Sequence, residues 1–109
     1  MQRMGFCIYL KAEKIREYKQ LHAETWPQVL ATISQCQIRN YIIYLKEPEN
    51  ILFASLEYHG NDYSQDMARM GQDPKTREWW ALTDPCQTPF EHRQPGEWWA
   101  QMEEVFHCD

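Results

Sequence analysis

The chain has 109 residues, 43% of them hydrophobic and 25% charged, which is the composition of one globular domain and excludes a disordered, collagen-like or membrane-spanning chain. Eleven Lys and Arg face 16 Asp and Glu for a formal net charge of −5. With no basic run to neutralise phosphates, neither nucleic acid nor an anionic membrane is an expected partner. The surplus is aromatic: 5 Trp, 6 Tyr and 4 Phe, with Trp79-Trp80 and Trp98-Trp99 as adjacent pairs, more than core volume alone requires.

Met4 to Leu10 is β-branched and aromatic-rich, with Phe6, Ile8 and Leu10 on one face and Cys7 and Tyr9 on the other, which predicts a first strand. From Ala12 the composition turns helical. Ile15, Tyr18, Leu21, His22 and Thr25 recur every three or four residues and define one side of an amphipathic helix. Pro27 is tolerated at a first helical position but not in an interior, so the helix should end near Glu24 to Trp26 and a second should restart there. That second helix is expected to turn Val29, Leu30 and Ile33 inward and to close at Gln35 to Gln37.

Ile38 to Leu45 and Ile51 to Tyr58 read as two strands of an antiparallel hairpin, joined by the polar turn Lys46-Glu47-Pro48-Glu49-Asn50. Asn61 to Met70 is a polar helix that Gly71 should break. Asp73-Pro74 supplies an N-cap and first position for a further helix through about Leu82. A loop containing Pro85, Pro89, Pro95 and Gly96 follows, and alternation over Gln101 to His107 predicts a last strand.

The resulting order is βαββαβ over a single domain, residues 1–109: an α+β, ferredoxin-like fold with helices on one face of a four-stranded antiparallel sheet. Its strands carry apolar residues on both sides, Ile42 and Tyr44 opposite Tyr41, Ile43 and Leu45. The uncovered face would be a large apolar patch, so we expect a homodimer through it and a ligand pocket between sheet and helices. Cys7, Cys36, Cys86 and Cys108 are widely and irregularly spaced, with no CxxC. Because the amino terminus enters a strand with no secretory leader, reduced thiols in a soluble cytoplasmic protein are expected.

The chemistry centres on His22, one turn after Tyr18 and one before Trp26, where an imidazole can move a proton near neutrality and a phenol can orient a hydroxylated ligand. A half-buried structural role is the alternative for both side chains. His59, His92 and His107 fit surface or structural roles. No HExxH, zinc-ribbon spacing, phosphate loop, G-x-S-x-G elbow or dinucleotide fingerprint is present, so neither metal, phosphoryl-transfer, serine-hydrolase nor dinucleotide chemistry is expected. Neighbouring helical residues point about 100° apart; one of Trp79 and Trp80 should therefore enter the core while the other lines a cavity.

Five segments in this order resemble the L-rhamnose mutarotase family: Glu17-Tyr18-Lys19 with His22 and Trp26-Pro27; Asn40-Tyr41; Leu52-Phe53-Ala54; Arg77-Glu78-Trp79-Trp80; and Glu104-Val105-Phe106-His107. The resemblance spans nearly the whole chain. It implies a dimeric α+β barrel that interconverts the α and β anomers of a deoxy-hexose without a cofactor. His22 would be the proton donor, with Tyr18, Tyr41, Trp79 and Trp80 around the sugar. Cys86 to Gln101, with Phe90, His92 and Trp98-Trp99, is longer and more aromatic than the family pattern, which leaves L-rhamnose, L-fucose and other 6-deoxy sugars open as substrates. The catalytic base is open too, among a tyrosine, Asp84 and His22 itself. A non-catalytic barrel of this fold that binds a small molecule or partner protein, and a cofactor-independent oxygenase, are the readings from other classes, since fold alone does not fix function.

Overall fold

The computed structural model describes residues Met1–Asp109. β1 (Gln2–Leu10) leads through a short 3₁₀ turn into α1 (Ile15–Ala23) and α2 (Pro27–Gln35). β2 (Ile38–Lys46) and β3 (Ile51–Tyr58) form the expected hairpin, and α3 (Tyr63–Gln72) and α4 (Pro74–Thr83) follow. After a second 3₁₀ turn come β4 (Gln87–Thr88) and β5 (Ala100–Met102). The sheet is antiparallel in the order β2-β3-β1-β4, with β5 pairing β1 beside β4. This is the predicted ferredoxin-like arrangement, with the fourth strand divided in two and each helical crossover built from a pair of helices.

Register separates the two faces. Phe6 pairs with Ala54 and Ile8 with Leu52, and on the neighbouring edge Ile43 pairs with Ala54 and Leu45 with Leu52. These side chains share the inner face. Two core clusters fill it: Ile8, Leu10, Leu52 and Cys86 with Tyr18 from α1, and Ile38, Leu56 and Tyr58 with Ile33, Tyr63, Met67 and Met70 from α2 and α3. On the outer face Tyr9, Ile42, Tyr44, Phe53 and Met102 remain exposed.

The predicted break at Pro27 is present. Trp26 is the extended N-cap of α2, and the Thr25 hydroxyl donates to the His22 carbonyl, which closes the end of α1. Four expectations need correction. Gly71 does not end α3, which runs on to Gln72. The stop is Asp73-Pro74, where the Asp73 carboxylate accepts from the Thr76 backbone and hydroxyl and so caps α4. Leu30 is 53% exposed while Val29 carries the burial of α2. The segment after Pro85, expected to be loop alone, contributes β4. Finally, the last strand is only Ala100–Met102, and residues 103–109 lie outside the sheet, with Arg3 binding Glu104 at 2.6 Å.

Leu52, 2% exposed at the centre of the first cluster, should lose about 2–5 kcal/mol of stability on replacement by Ala. Leu30→Ala should stay within about 0.5 kcal/mol of the parent. Urea unfolding of the two variants measures both, and equal losses would contradict the assignment of Leu30 to the surface.

Candidate functional site

Four helical positions apart, Tyr18 and His22 project from the same side of α1, with ring centroids 4.2 Å apart. His22 meets the edge of Trp79 at 5.4 Å, and Trp79 in turn meets Trp26 at 5.3 Å, both in near-perpendicular geometry. Lys75 Nζ lies 5.7 Å over the Trp26 ring. A phenol, an imidazole and two indoles thus form one continuous cluster between α1 and α4.

The protonation state of His22 follows from its contacts. Nδ1 lies 2.9 Å from the Tyr18 carbonyl. A carbonyl only accepts, so Nδ1 carries the hydrogen and, in the neutral ring, Nε2 is left with a free lone pair. Burial lowers the His22 pKa, an effect the Tyr18 carbonyl opposes only in part. Near neutrality His22 therefore presents an acceptor.

Tyr18 is the one buried residue of α1. Its hydroxyl accepts from Gln87 Nε2 at 3.1 Å, and burial, together with the nearby Tyr41 phenol, holds its pKa well above the ordinary phenol value. Tyr41 reaches the same side of the sheet through an irregularity: the β2–β3 register shifts between Arg39 and Ile42, where Asn40 takes a φ of 49°. The extra residue keeps Ile38 inward and yet lets Tyr41, Ile43 and Leu45 point inward after it. Tyr41 retains 42% exposure, but its hydroxyl is desolvated enough to push its pKa up to about 12. Both phenols stay neutral, fitted to hydrogen bonding.

Of the five residues singled out from the sequence, Tyr18, His22 and Trp79 meet directly, and Tyr41 lies within electrostatic reach of Tyr18. Trp80 makes none of these ring contacts. It is 37% exposed on the adjacent side of α4, facing Gly71 of α3, so Trp79 is the inward indole of the pair. Asp84, half-buried, has its pKa raised by desolvation and adds its field to Tyr18. Two surface recesses, one on the flank of α1 around Arg16 and Lys19 and a wholly polar one between His59 and Arg69, hold none of these rings.

Sequence reasoning missed Gln87. It is 4% exposed on β4, opposite Leu10, and its side chain bridges Tyr18 to Trp98. A glutamine in a proline-flanked loop offers no periodicity, so only the pairing of β4 with β1 reveals that it points inward.

The family model described as rhaM, L-rhamnose mutarotase, matches residues 3–108. Among curated proteins, the L-rhamnose mutarotase of Phocaeicola vulgatus is 32% identical over 100% of both chains. That of Mesorhizobium japonicum is 34% identical over 97% of this chain and 96% of its own. The crystal structure of an L-rhamnose mutarotase from Formosa agariphila superposes over 100% of both chains with a TM-score of 0.78 at 21% identity. The tetracenomycin F2 cyclase of Streptomyces glaucescens, a type-II polyketide cyclase, shares the fold at a TM-score of 0.67 and 12% identity. Family model and full-length relatives agree, and the chain belongs to the L-rhamnose mutarotase family.

Proposed function

We propose that the protein interconverts the α and β anomers of L-rhamnose or a closely related 6-deoxy sugar, with His22 as the proton-transfer group. The carrying observation is the Nδ1 contact to the Tyr18 carbonyl, which leaves Nε2 of a neutral imidazole free beside aromatic walls. Nε2 takes the proton of the anomeric hydroxyl. As C1=O forms, the bond from C1 to the ring oxygen breaks with its electron pair passing to that oxygen, which receives the proton back from the imidazolium. Rotation about C1–C2 presents the other carbonyl face, and the reverse transfers close the ring. His22 is thus base in the first transfer and acid in the second. Protons and electrons balance without an external reactant.

Tyr18 and Tyr41 supply hydrogen bonds to the sugar rim, and the Trp79 indole suits its C–H face. Trp80 is assigned to the sugar by the family resemblance alone. The exposed outer face of Tyr9, Ile42, Tyr44, Phe53 and Met102, with Val105 and Phe106 exposed in the terminal segment, supports a homodimer formed by two such faces. All four cysteines are free, which suits a reducing cytoplasm. No helix is long and apolar enough to cross a membrane.

Saturation-transfer NMR on the anomeric protons of L-rhamnose should show exchange faster than buffer, with His22→Ala losing about 10²–10⁴-fold. Exchange at the buffer rate across several 6-deoxy sugars would refute the mutarotase reading, and sugar-dependent tryptophan fluorescence without exchange would indicate binding alone. Because protonation removes the Nε2 lone pair, kcat/KM should fall on the acid side with an inflection below the usual histidine value of about 6.5. The same burial makes folding acid-sensitive. Above about pH 6.5 both folded and unfolded forms are neutral at His22; as pH falls from there towards the lowered folded value, the unfolded chain takes up the proton first and stability drops.

Light scattering should give twice the 13.2 kDa chain mass, and Tyr44→Glu should shift the protein towards monomer. A monomeric wild type at micromolar concentration would remove the dimer.

A further inference from the structure

We propose that Trp98 and Gln87 are positioning residues that fix the polarity of the Tyr18 hydroxyl, making it a hydrogen-bond donor to the bound sugar. The inference rests on the mutarotase reading for its substrate, but its geometry is a property of the chain.

An indole N–H can only donate. Trp98 Nε1 lies 2.7 Å from Gln87 Oε1, so the amide oxygen is committed to Trp98 and the amide nitrogen must face the other way. There it donates to the Tyr18 hydroxyl oxygen at 3.1 Å. Gln87 is the only protein group that hydrogen-bonds this hydroxyl, and it occupies the acceptor side. The phenolic hydrogen is therefore unclaimed by the protein and available to a ligand oxygen. With the indole removed, the amide could flip, turn its oxygen towards Tyr18 and absorb that hydrogen. Trp98 thus selects one of two otherwise similar amide orientations.

The segment that carries Trp98 is built to hold it there. Arg93 donates to the carbonyls of Phe90 at 2.6 Å and Glu97 at 2.8 Å, the Gln94 backbone N–H donates to the Glu97 carboxylate, and Gly96 takes a φ of 85° at the turn. Phe90 anchors one end against Tyr9, with ring centroids 4.3 Å apart, while Trp99 anchors the other against the first core cluster. Trp98 is consequently delivered to Gln87 by a segment fastened at both ends.

The pair of polar groups is thereby asymmetric: Nε2 of His22 accepts and the Tyr18 hydroxyl donates. A sugar whose exchangeable anomeric hydroxyl faces His22 must offer Tyr18 an acceptor oxygen. Tyr18 gives a hydrogen bond and keeps its proton, because its ionisation is strongly disfavoured at this depth.

Two measurements test the relay. In ¹⁵N–¹H spectra the Trp98 indole and Gln87 side-chain amide signals of the wild type should be protected from solvent exchange; the indole signal should shift and lose protection in Gln87→Met, and the amide signal should shift in Tyr18→Phe. An indole signal unmoved by Gln87→Met would overturn the proposal, whether or not the protein exchanges sugar. A wild type inert towards 6-deoxy sugars with these signals in place would instead refute only the mutarotase reading. In exchange assays Gln87→Met should lower kcat/KM about tenfold and Trp98→Phe about fourfold, on the scale of one hydrogen bond. The double variant should be no worse than Gln87→Met alone, since Trp98 acts through Gln87. Gln87→Glu, whose carboxylate would accept from both neighbours and capture the Tyr18 hydrogen, should be less active than Gln87→Met. Additive losses in the double variant, or a Gln87→Glu protein as active as wild type, would overturn the proposal. Should Gln87→Met not fold, Trp98→Phe at a 40%-exposed position carries the same assay, and unchanged kcat/KM there would count against the relay.

Discussion

The pairing of β1 along both of its edges is the constraint on which the rest of the protein depends. One edge runs antiparallel to β3 from Gln2 to Tyr9. The other is shared, Gly5 to Cys7 with β5 and Tyr9 to Leu10 with β4. A slip of β1 by one residue would turn Ile8 and Leu10 outwards, away from the core-facing side chains of every partner strand. It would also displace Gln87, whose inward direction is set by its place opposite Leu10. The core and the relay to Tyr18 are therefore fixed by the same backbone ladder.

Upon that ladder α1 brings a phenol and an imidazole together through its period alone. Tyr18 and His22 stand one turn apart, so the carbonyl of one is placed to fix the tautomer of the other, and their rings share a side of the helix. A helix that packs through a phenol leaves a polar group in the core, and here Gln87 satisfies it; no buried side-chain nitrogen or oxygen lacks a partner. Stability and site geometry are coupled at this point, because the group that satisfies Tyr18 also decides which way its hydrogen is directed.

Features with a strong period were legible in the sequence. The α1 face, the restart at Pro27, the β2–β3 hairpin and the Asp73-Pro74 cap were all visible, and the face shared by Tyr41, Ile43 and Leu45 could be read locally. The irregularity before Tyr41 was not, because the alternation of Tyr41 to Leu45 is intact and the shift shows only against the register of Ile38 with Tyr58. Gly71 was misread since a glycine inside a helix weakens it without ending it, whereas the following Asp-Pro both closes one helix and opens the next. Strands of two and three residues, such as β4 and β5, are too short for any period to register. Gln87 was illegible for that reason; the Trp98-Trp99 pair stood out in the sequence, but the partner of Trp98 became visible only once β4 was placed beside β1.

The segment between β4 and β5 leaves and rejoins the sheet at neighbouring positions on one strand, Tyr9 with Thr88 and Cys7 with Ala100. Its two ends are thus held close together by β1 whatever lies between them. The entropy of closing such an excursion grows only slowly with its length, so residues can be gained or lost there with little strain on the ladder. The fold thereby separates two kinds of sequence change. Alterations along β1 are tied to folding, while the stretch between Thr88 and Ala100 can be lengthened or rebuilt without the scaffold having to change in step.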